Sequence, residues 1–305
     1  MREVEFKKYE GTERFNEDYP LLEKFFVENT GDSLMENWHI GRLDWMLNHE
    51  YTNPELLPMI GMWKEKKEAV GVVIFDIEYP PIYFLCKKGY ENLYTEMYEY
   101  ALRTFSTDKW CKEGKWIKTV VKDENKMLLD FLENKGFVKD GWPEDIIELQ
   151  CNLQTRFKYN LPEGFYITSF EEEKDYEKYS QLLFKGFDHE GESEADADKT
   201  YKTIPFEEPH WNDKLKVLVK APDGEWASHC GIWYIPGTTT AYIEPVVTIP
   251  QYRKRGLAKA AIYEAVNRCA KLGAKRAMVI SAMDFYFSIG FKQSSHYYHM
   301  AKYLD

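Results

Sequence analysis

The residues best placed to do chemistry lie between Ala241 and Gly273. Ala241-Tyr-Ile-Glu-Pro-Val-Val-Thr248 reads as a buried strand and Ile249-Pro-Gln-Tyr252 as a turn. Arg253-Lys-Arg-Gly256-Leu-Ala258 then reads as a loop that opens a helix. The helix is predicted over Leu257–Leu272. Ala258, Ile262, Ala265, Cys269 and Leu272 fall on its apolar face, Arg268, Lys271 and Lys275 toward the other, and Gly273 supplies the stop. A helix start of this kind is an anion site: unpaired backbone N–H groups point outward, and the macrodipole places about half a positive charge there. Gly256 and Ala258 lack bulk, so a pyrophosphate can approach the backbone. Charge agrees, because Arg253–Arg276 holds eight Lys/Arg and the single acid Glu264 in a chain whose net charge is −11. A basic island in an acidic protein points to one specific polyanionic ligand.

The elements that must position this loop occur twice. Phe131-Leu-Glu-Asn-Lys-Gly136-Phe137 resembles Phe285-Tyr-Phe-Ser-Ile-Gly290-Phe291. Asp18-Tyr19 with Leu21, Leu22, Phe25 and Phe26 parallels Asp175-Tyr176 with Leu182, Leu183 and Phe184, and the apolar run Val70–Ile77 parallels His229–Ile235. The three matches keep one order and nearly the same offset, 154, 157 and about 158 residues, as duplication requires. Each copy opens on a strand (Val4–Lys8; Phe165–Ser169) and an amphipathic helix. Strand-like runs follow at Met59–Trp63, Val70–Ile77 and Pro81–Leu85 in the first copy, and at Leu215–Lys220, Ser228–Ile235 and Thr240–Val247 in the second. A longer helix, a strand and a short helix ending in Gly-Phe close each copy, the Gly being the expected C-cap. The junction is expected between Pro143 and Pro162, which divides the chain into residues 1–150 and 151–305. The fold class is α/β, twice.

Composition excludes several alternatives. At 305 residues with 44% apolar residues, each half can bury a core. Net acidity argues against nucleic-acid or anionic-membrane binding. Five dispersed cysteines without C-x-x-C predict reduced thiols in a cytoplasmic protein; Cys230 and Cys269 fall on apolar faces and are expected to be inert. The opening MREVEFKKYEGTER has no apolar core and is not expected to be a signal peptide, and no run suffices to cross a bilayer. No H-E-x-x-H and no phosphate-loop G-x-x-x-x-G-K occurs, so no metal is expected.

Pro250-x-Tyr-Arg253-x-x-Gly256-x-Ala258 resembles the acetyl-CoA motif of the GCN5-related N-acetyltransferases (GNAT), Arg/Gln-x-x-Gly-x-Gly/Ala. Phe285-Tyr286-x-x-x-Gly290-Phe291 resembles the terminal motif of the same family. The whole chain looks like a tandem member, similar in layout to the mycothiol synthases. The resemblance implies two GNAT-like domains, each a mixed, mostly antiparallel twisted sheet flanked by helices. It implies that Val246, Val247 and Thr248 splay from the neighbouring strand and pair with pantetheine amides. N–H groups across Arg253, Lys254, Arg255, Gly256, Leu257 and Ala258 would cradle the pyrophosphate. Tyr286 would protonate the departing thiolate, and Glu244 matches a position where many members place a general base. The implied reaction is transfer of acetyl from acetyl-CoA to a primary amine of a small molecule by direct attack in a ternary complex. The sequence departs from the pattern at Val279, where many members carry Asn.

The first copy lacks these features. Phe84-Leu-Cys-Lys-Lys-Gly89-Tyr-Glu-Asn-Leu-Tyr94 contains no Arg-x-x-Gly-x-Ala, Leu132 stands opposite Tyr286, and Leu85 falls near Glu244 in the alignment. Residues 1–150 are therefore expected to be non-catalytic, shaping the acceptor pocket and covering the open face of residues 151–305. The acidic run Asp188–Asp198 reads as a solvated loop or as a rim attracting a cationic amine. His39 and His49, beside Trp38 and Trp45, are expected to pack. Two rival readings are a non-catalytic acyl-CoA-binding module and a tRNA-dependent aminoacyl transferase; Glu244 and Tyr286 argue against the first, net acidity and the intact loop against the second. A monomer or a homodimer fits equally.

Overall fold

The alternating apolar runs become thirteen strands of one continuous sheet with helices on both faces. The structure is a computed structural model, and it describes residues 3–29, 33–49, 51–77, 79–109, 111, 114–187 and 208–304. The acidic run Asp188–Asp198 lies outside the described residues.

The first copy supplies strands β1 (Glu5–Lys8), β2 (Gly61–Glu65), β3 (Glu68–Phe75), β4 (Ile82–Cys86), β5 (Lys115–Lys122), β6 (Val138–Lys139) and β7 (Glu144–Gln150). Its helices are α1 (Tyr19–Glu28), α2 (Ile40–Asn48), α3 (Tyr94–Phe105) and α4 (Lys126–Asn134). The second copy supplies β8 (Tyr166–Ser169), β9 (Lys216–Lys220), β10 (Trp226–Trp233), β11 (Thr240–Thr248), β12 (Arg276–Ile280) and β13 (Lys292–Leu304). Its helices are α5 (Tyr176–Gly186), α6 (Leu257–Leu272) and α7 (Asp284–Ser288). The duplication extends to single hydrogen bonds. Phe137 N donates to Leu132 O at 3.0 Å, and Phe291 N to Tyr286 O at 3.1 Å. Gly136 and Gly290 both take positive φ, 86° and 97°, as a helix-ending glycine must. Leu132 is thus the structural counterpart of Tyr286.

Strand order departs from the simple picture of two adjacent sheets. It runs β1-β2-β3-β4-β5-β13-β7-β12-β11-β10-β9-β8. The closing strand of each copy lies in the sheet of the other. β7 pairs antiparallel with β12, Ile146 opposite Ile280 and Gln150 opposite Arg276, while β13 pairs antiparallel with β5 from Tyr297–Lys122 to Leu304–Lys115. β7 and β13 also pair with each other at the centre. The hydrogen bonds of the sheet therefore do not separate at sequence position 150.

The exchange also divides the core. Successive strand residues point to opposite faces. Accordingly Ile146 packs in the cluster of the first half and Ile147 in that of the second. Trp233, Tyr242 and Met278 belong to the second half by sequence, yet their side chains join the first half's core. Helix α2 lies over them, and a Cβ on Gly41 would come within 2.3 Å of Trp233 Cβ, so only glycine permits this approach. Burying each such aromatic contributes roughly 1.5–3 kcal/mol.

A charged network pins the same interface. Arg276 Nη1 donates to Glu36 and, at 2.9 Å, to Glu148, and Ser295 Oγ donates to Glu36. Burial works to raise the Glu36 carboxyl, but the Ser295 hydrogen bond and the Arg276 and Lys122 charges outweigh it and hold it below the ordinary range.

A fragment of residues 151–305 would leave β12 without β7 and β13 without β5. Expressed alone, it should aggregate or unfold without a cooperative transition by circular dichroism. A soluble fragment melting as sharply as the full chain would contradict the exchanged pairing.

Candidate active site

The geometry of the site begins with a defect in β11. Pro245 cannot donate a ladder hydrogen bond, and the β10–β11 register shifts between the pairs Cys230–Val246 and Ile232–Ile243. Gly231 sits at this irregularity; a Cβ there would meet Glu244 O at 2.6 Å, so the missing side chain admits the bulged backbone. On its other edge β11 pairs parallel with β12 only from Thr240 to Tyr242. Beyond that the strands part, and Val246 and Thr248 face the opening.

A cavity of about 550 Å³ occupies the gap. Val246, Val247, Thr248, Arg253, Lys254, Gly256, Leu257 and Ala258 line it, together with Tyr286 and with Gly186, Tyr252, Lys259, Met283 and Phe285. Arg255 is not among the lining residues; its guanidinium stands 5.7 Å from the Tyr252 ring centroid. Glu244 is also outside the lining, one step further up β11. Gly186 ends α5 against Val247, where a Cβ would approach within 2.5 Å. Sequence patterning gave no sign of Gly186 or Met283, because both come from elements that reach the cavity only through tertiary packing.

The loop is shaped by its own side chains. Arg253 Nε donates to Thr248 O and Nη2 to Gly186 O, both at 3.0 Å, so this guanidinium ties the strand end to the α5 C-terminus. Tyr252 Oη donates to Asp223 at 2.8 Å and Glu225 at 3.1 Å. Gly256 caps α6 at φ +79°, with open space where a Cβ would stand. Its value is conformational, and bulk is not the issue. Among the described residues no acceptor meets the backbone N–H groups of residues 254–259, whereas Arg253 N donates to Pro250 O and Ala260 N to Gly256 O. Six consecutive free amides at a helix start form an anion cradle.

Helix α6 has the predicted bounds but a rotated buried face. Leu257, Ala261, Ile262, Ala265, Val266 and Cys269 pack inward, while Leu272 is 49% exposed and Ala258 is turned partly toward the cavity. The run of alanines lets the helix sit close on β9, β10 and β11.

The two chemical candidates lie at the mouth of the splay. Tyr286 is buried on α7, edge-on to Phe285 and Phe291, and burial pushes its phenol up. Among the described residues none hydrogen-bonds its hydroxyl. Glu244 is half-buried, and its carboxyl is pushed up to about 7, first by burial and then by Asp76. Trp233 Nε1 holds the Glu244 carbonyl at 2.9 Å. Val279 lies on β12 opposite Ile147, and its side chain is buried in the core of the second half. His39 caps α2, its Nδ1 accepting from Gly41 N at 3.0 Å, and stacks on Tyr242 at 5.7 Å; His49 packs on Trp45 at 5.2 Å. Both histidines are packing residues. Cys230 and Cys269 are buried thiols, both pushed up by desolvation.

The corresponding loop of the first half differs in one decisive respect. Gly89 N is taken by the Glu91 carboxylate at 2.9 Å, so an acid of the chain occupies the start of the helical segment. Lys87, which might have offset it, is paired with Glu28 at 3.1 Å.

With this geometry in place, comparison with known proteins is informative. The Acetyltransferase (GNAT) family profile matches residues 176–291, from the start of α5 to Phe291. The chain carries a GNAT acetyltransferase domain. It is an acyltransferase, and the matched domain contains the splayed strand, the amide cradle and Tyr286. Two solved structures resemble the whole chain. A GCN5-related N-acetyltransferase from Sphaerobacter thermophilus is 16% identical with a TM-score of 0.56, the match covering 98% of this chain and 95% of that one. A tandem GNAT protein from the clavulanic acid biosynthesis pathway is 12% identical with a TM-score of 0.55, covering 98% of both chains. At such identities the likeness concerns the fold, and it extends the GNAT architecture over both halves. No curated protein sequence matches the chain. Among the described residues no helix is long and apolar enough to cross a membrane.

Gly256 is the most direct test of the cradle. Gly256→Val should cost about 1–2 kcal/mol in urea unfolding, because a side chain at positive φ is strained. Gly256→Asn, which tolerates that conformation, should cost less. Equal stability of the two variants would show that the loop does not need the left-handed turn.

Proposed function

We propose that the domain transfers an acetyl group from acetyl-CoA to a primary amine of a small molecule, by direct attack within a ternary complex. The observation that carries this reading is the row of free amides at residues 254–259, opening onto a cavity whose other wall is the unpaired edge of β11. The amides from Lys254 to Ala258 are suited to the diphosphate, with Arg253 bracing the loop. The exposed Arg255 supplies field and no direct contact. The edge from Val246 to Thr248 offers strand-like hydrogen bonds to the pantetheine amides, as an added strand would take.

Chemistry follows from what faces the open end. The amine nitrogen bonds to the thioester carbonyl carbon, and the C–S bond breaks. Glu244 accepts the proton that the ammonium loses, directly or through water, and its carboxyl near 7 suits a base working at neutral pH. The thiolate takes a proton from the Tyr286 phenol, which burial keeps protonated between turnovers, and the phenolate so formed recovers the proton that Glu244 took from the ammonium, through water. Holding amine and thioester together supplies up to about 7–11 kcal/mol of the barrier reduction. Residues 1–150 do not join in CoA binding on this reading, since Glu91 fills the amide site and Leu132 replaces the phenol. They form a non-catalytic domain that completes the acceptor side. A cytoplasmic setting fits the acetyl donor and the five free thiols.

Calorimetry with coenzyme A and with adenosine 3′,5′-diphosphate should show heat for both. No heat with either would end this reading. With an amine found by screening for thiol release, Tyr286→Phe should lower kcat about 10²-fold or more while leaving the Kd for coenzyme A unchanged. For the wild type kcat/KM should rise with pH through about 7, because a carboxyl raised to that value works as a base only above it. Glu244→Gln should lose that limb and about 10²–10⁴ in rate; an unchanged profile would remove the base role.

A further inference from the structure

Glu244 is the point at which β11 leaves regular pairing. Toward β10 the register passes from Ile232–Ile243 to Cys230–Val246, and toward β12 it stops at Tyr242, so neither Glu244 nor Pro245 has a strand partner on either side. A carbonyl taken out of a ladder must find another donor where water is excluded. Here a side chain supplies it: Trp233 Nε1 donates to Glu244 O at 2.9 Å. Trp233 stands opposite Tyr242 and is fully buried in the first half's core. Its indole thus reaches from the last regular pair of the ladder to the irregular residue beyond it. Gly41 of α2 seats this side chain, since a Cβ there would come within 2.3 Å of Trp233 Cβ and 2.4 Å of Cγ. The next residue, Arg42, is buried and holds α2 in place. Its Nε and Nη2 donate to Asp76 Oδ2 just past β3, at 3.0 and 2.6 Å, Nη1 to Asn37 O at 2.8 Å, and Nη2 to the Tyr83 hydroxyl at 2.9 Å. Lys216 of β9 holds the ring as well. Its ammonium is buried, has no hydrogen-bond partner among the described residues, and stands 3.7 Å from the Trp233 ring centroid and 4.3 Å from that of Trp211.

We propose that Trp233, seated by the first half, is a positioning residue for the thioester carrier: its N–H fixes the irregular turn of β11 from which the open edge sets out. The inference rests on the reading of Val246 to Thr248 as the pantetheine edge. Val246 follows Glu244 by two residues, so a rotation of the Glu244 carbonyl redirects the start of that edge. The other end of the edge is held separately, where Arg253 ties Thr248 O to Gly186 O next to the amide cradle. Loss of the indole N–H should therefore loosen the pantetheine end of the cavity and leave the diphosphate end as it is. Trp233 is not among the residues that line the cavity, so its effect reaches a ligand only through β11. The first half then acts on the site without touching what binds there.

The test compares two ligands on the full chain by calorimetry: coenzyme A, which spans the cavity, and adenosine 3′,5′-diphosphate, which has no pantetheine. Trp233→Phe keeps an aromatic ring and removes the N–H. In this variant the Kd for coenzyme A should rise about fivefold, the size of one hydrogen bond, while that for adenosine 3′,5′-diphosphate stays within about twofold. Should Trp233→Phe not fold, 3-benzothienylalanine incorporated at position 233 repeats the measurement, because it keeps the bicyclic shape and puts sulfur where the N–H was. A coenzyme A Kd within about twofold of wild type overturns the proposal. An equal loss with both ligands overturns it too, since general damage to the fold does not choose between the two ends of the cavity. The reading of the site is judged separately on the wild type. Failure to bind either ligand would end that reading, whereas binding of both with an unmoved variant sinks only the role of Trp233.

Discussion

A strand at the edge of a sheet must find partners for its N–H and C=O groups, and both β5 and β12 find theirs in the strand that closes the opposite copy. This exchange constrains the rest of the molecule. Because β7 runs between β12 and β13, neither half can move away without breaking its own sheet. The covered face of β10 and β11 is therefore a fixed surface and not a hinge. Trp233 and Tyr242 can be large, apolar and inward-facing only because α2 is always there to receive them.

The splay of β11 from β12 follows from a local conflict that the exchange makes affordable. Pro245 and the register shift remove ladder bonds from β11, and a lone strand with such gaps would fray. Here its Tyr242 end is clamped on the face by α2 and in the sheet by β10 and β12. From Glu244 to Thr248 the edge toward β12 has no strand partner, while Val246, Val247 and Thr248 stay paired with Cys230, His229 and Ser228 on the other side. At the far end Arg253 holds Thr248 and Gly186 together, so the opening keeps its width. Fixed ends and one unpaired edge hold the opening in a single shape.

Much of this was legible in the residues. Arg253, Gly256 and Ala258 announced a helix start with exposed amides. The bounds of α6 followed from Leu257 and Gly273, and the paired Gly-Phe endings betrayed the repeat. What sequence patterning missed has a common cause. The exchange of β7 and β13 is a long-range choice between two apolar partners of equal period, and alternation alone cannot decide it. The buried face of α6 is set by the sheet beneath it, which is why Leu272, periodic with Ile262 and Cys269, ends outside. Arg42 and Asp76 lie in the copy that had lost its motifs, separated by 34 positions, and nothing in their local sequence links them. Met283 and Gly186 are visible only once the cavity exists.

The two loops differ in how their backbone amides are satisfied. In the first half Glu91 satisfies Gly89 N internally, a stable arrangement that needs no ligand. In the second half the amides of residues 254–259 find no partner in the chain among the described residues and stay open at the surface. The two copies thus carry the same turn in two states, one closed on its own side chain and one open, and the two remain joined. The exchanged strands guarantee the joining. The first half places the Arg42–Asp76 ion pair and helix α2 on the shared face, where Gly41 meets Trp233. The two halves are therefore coupled by connectivity, since each supplies strands and side chains to the sheet and core of the other.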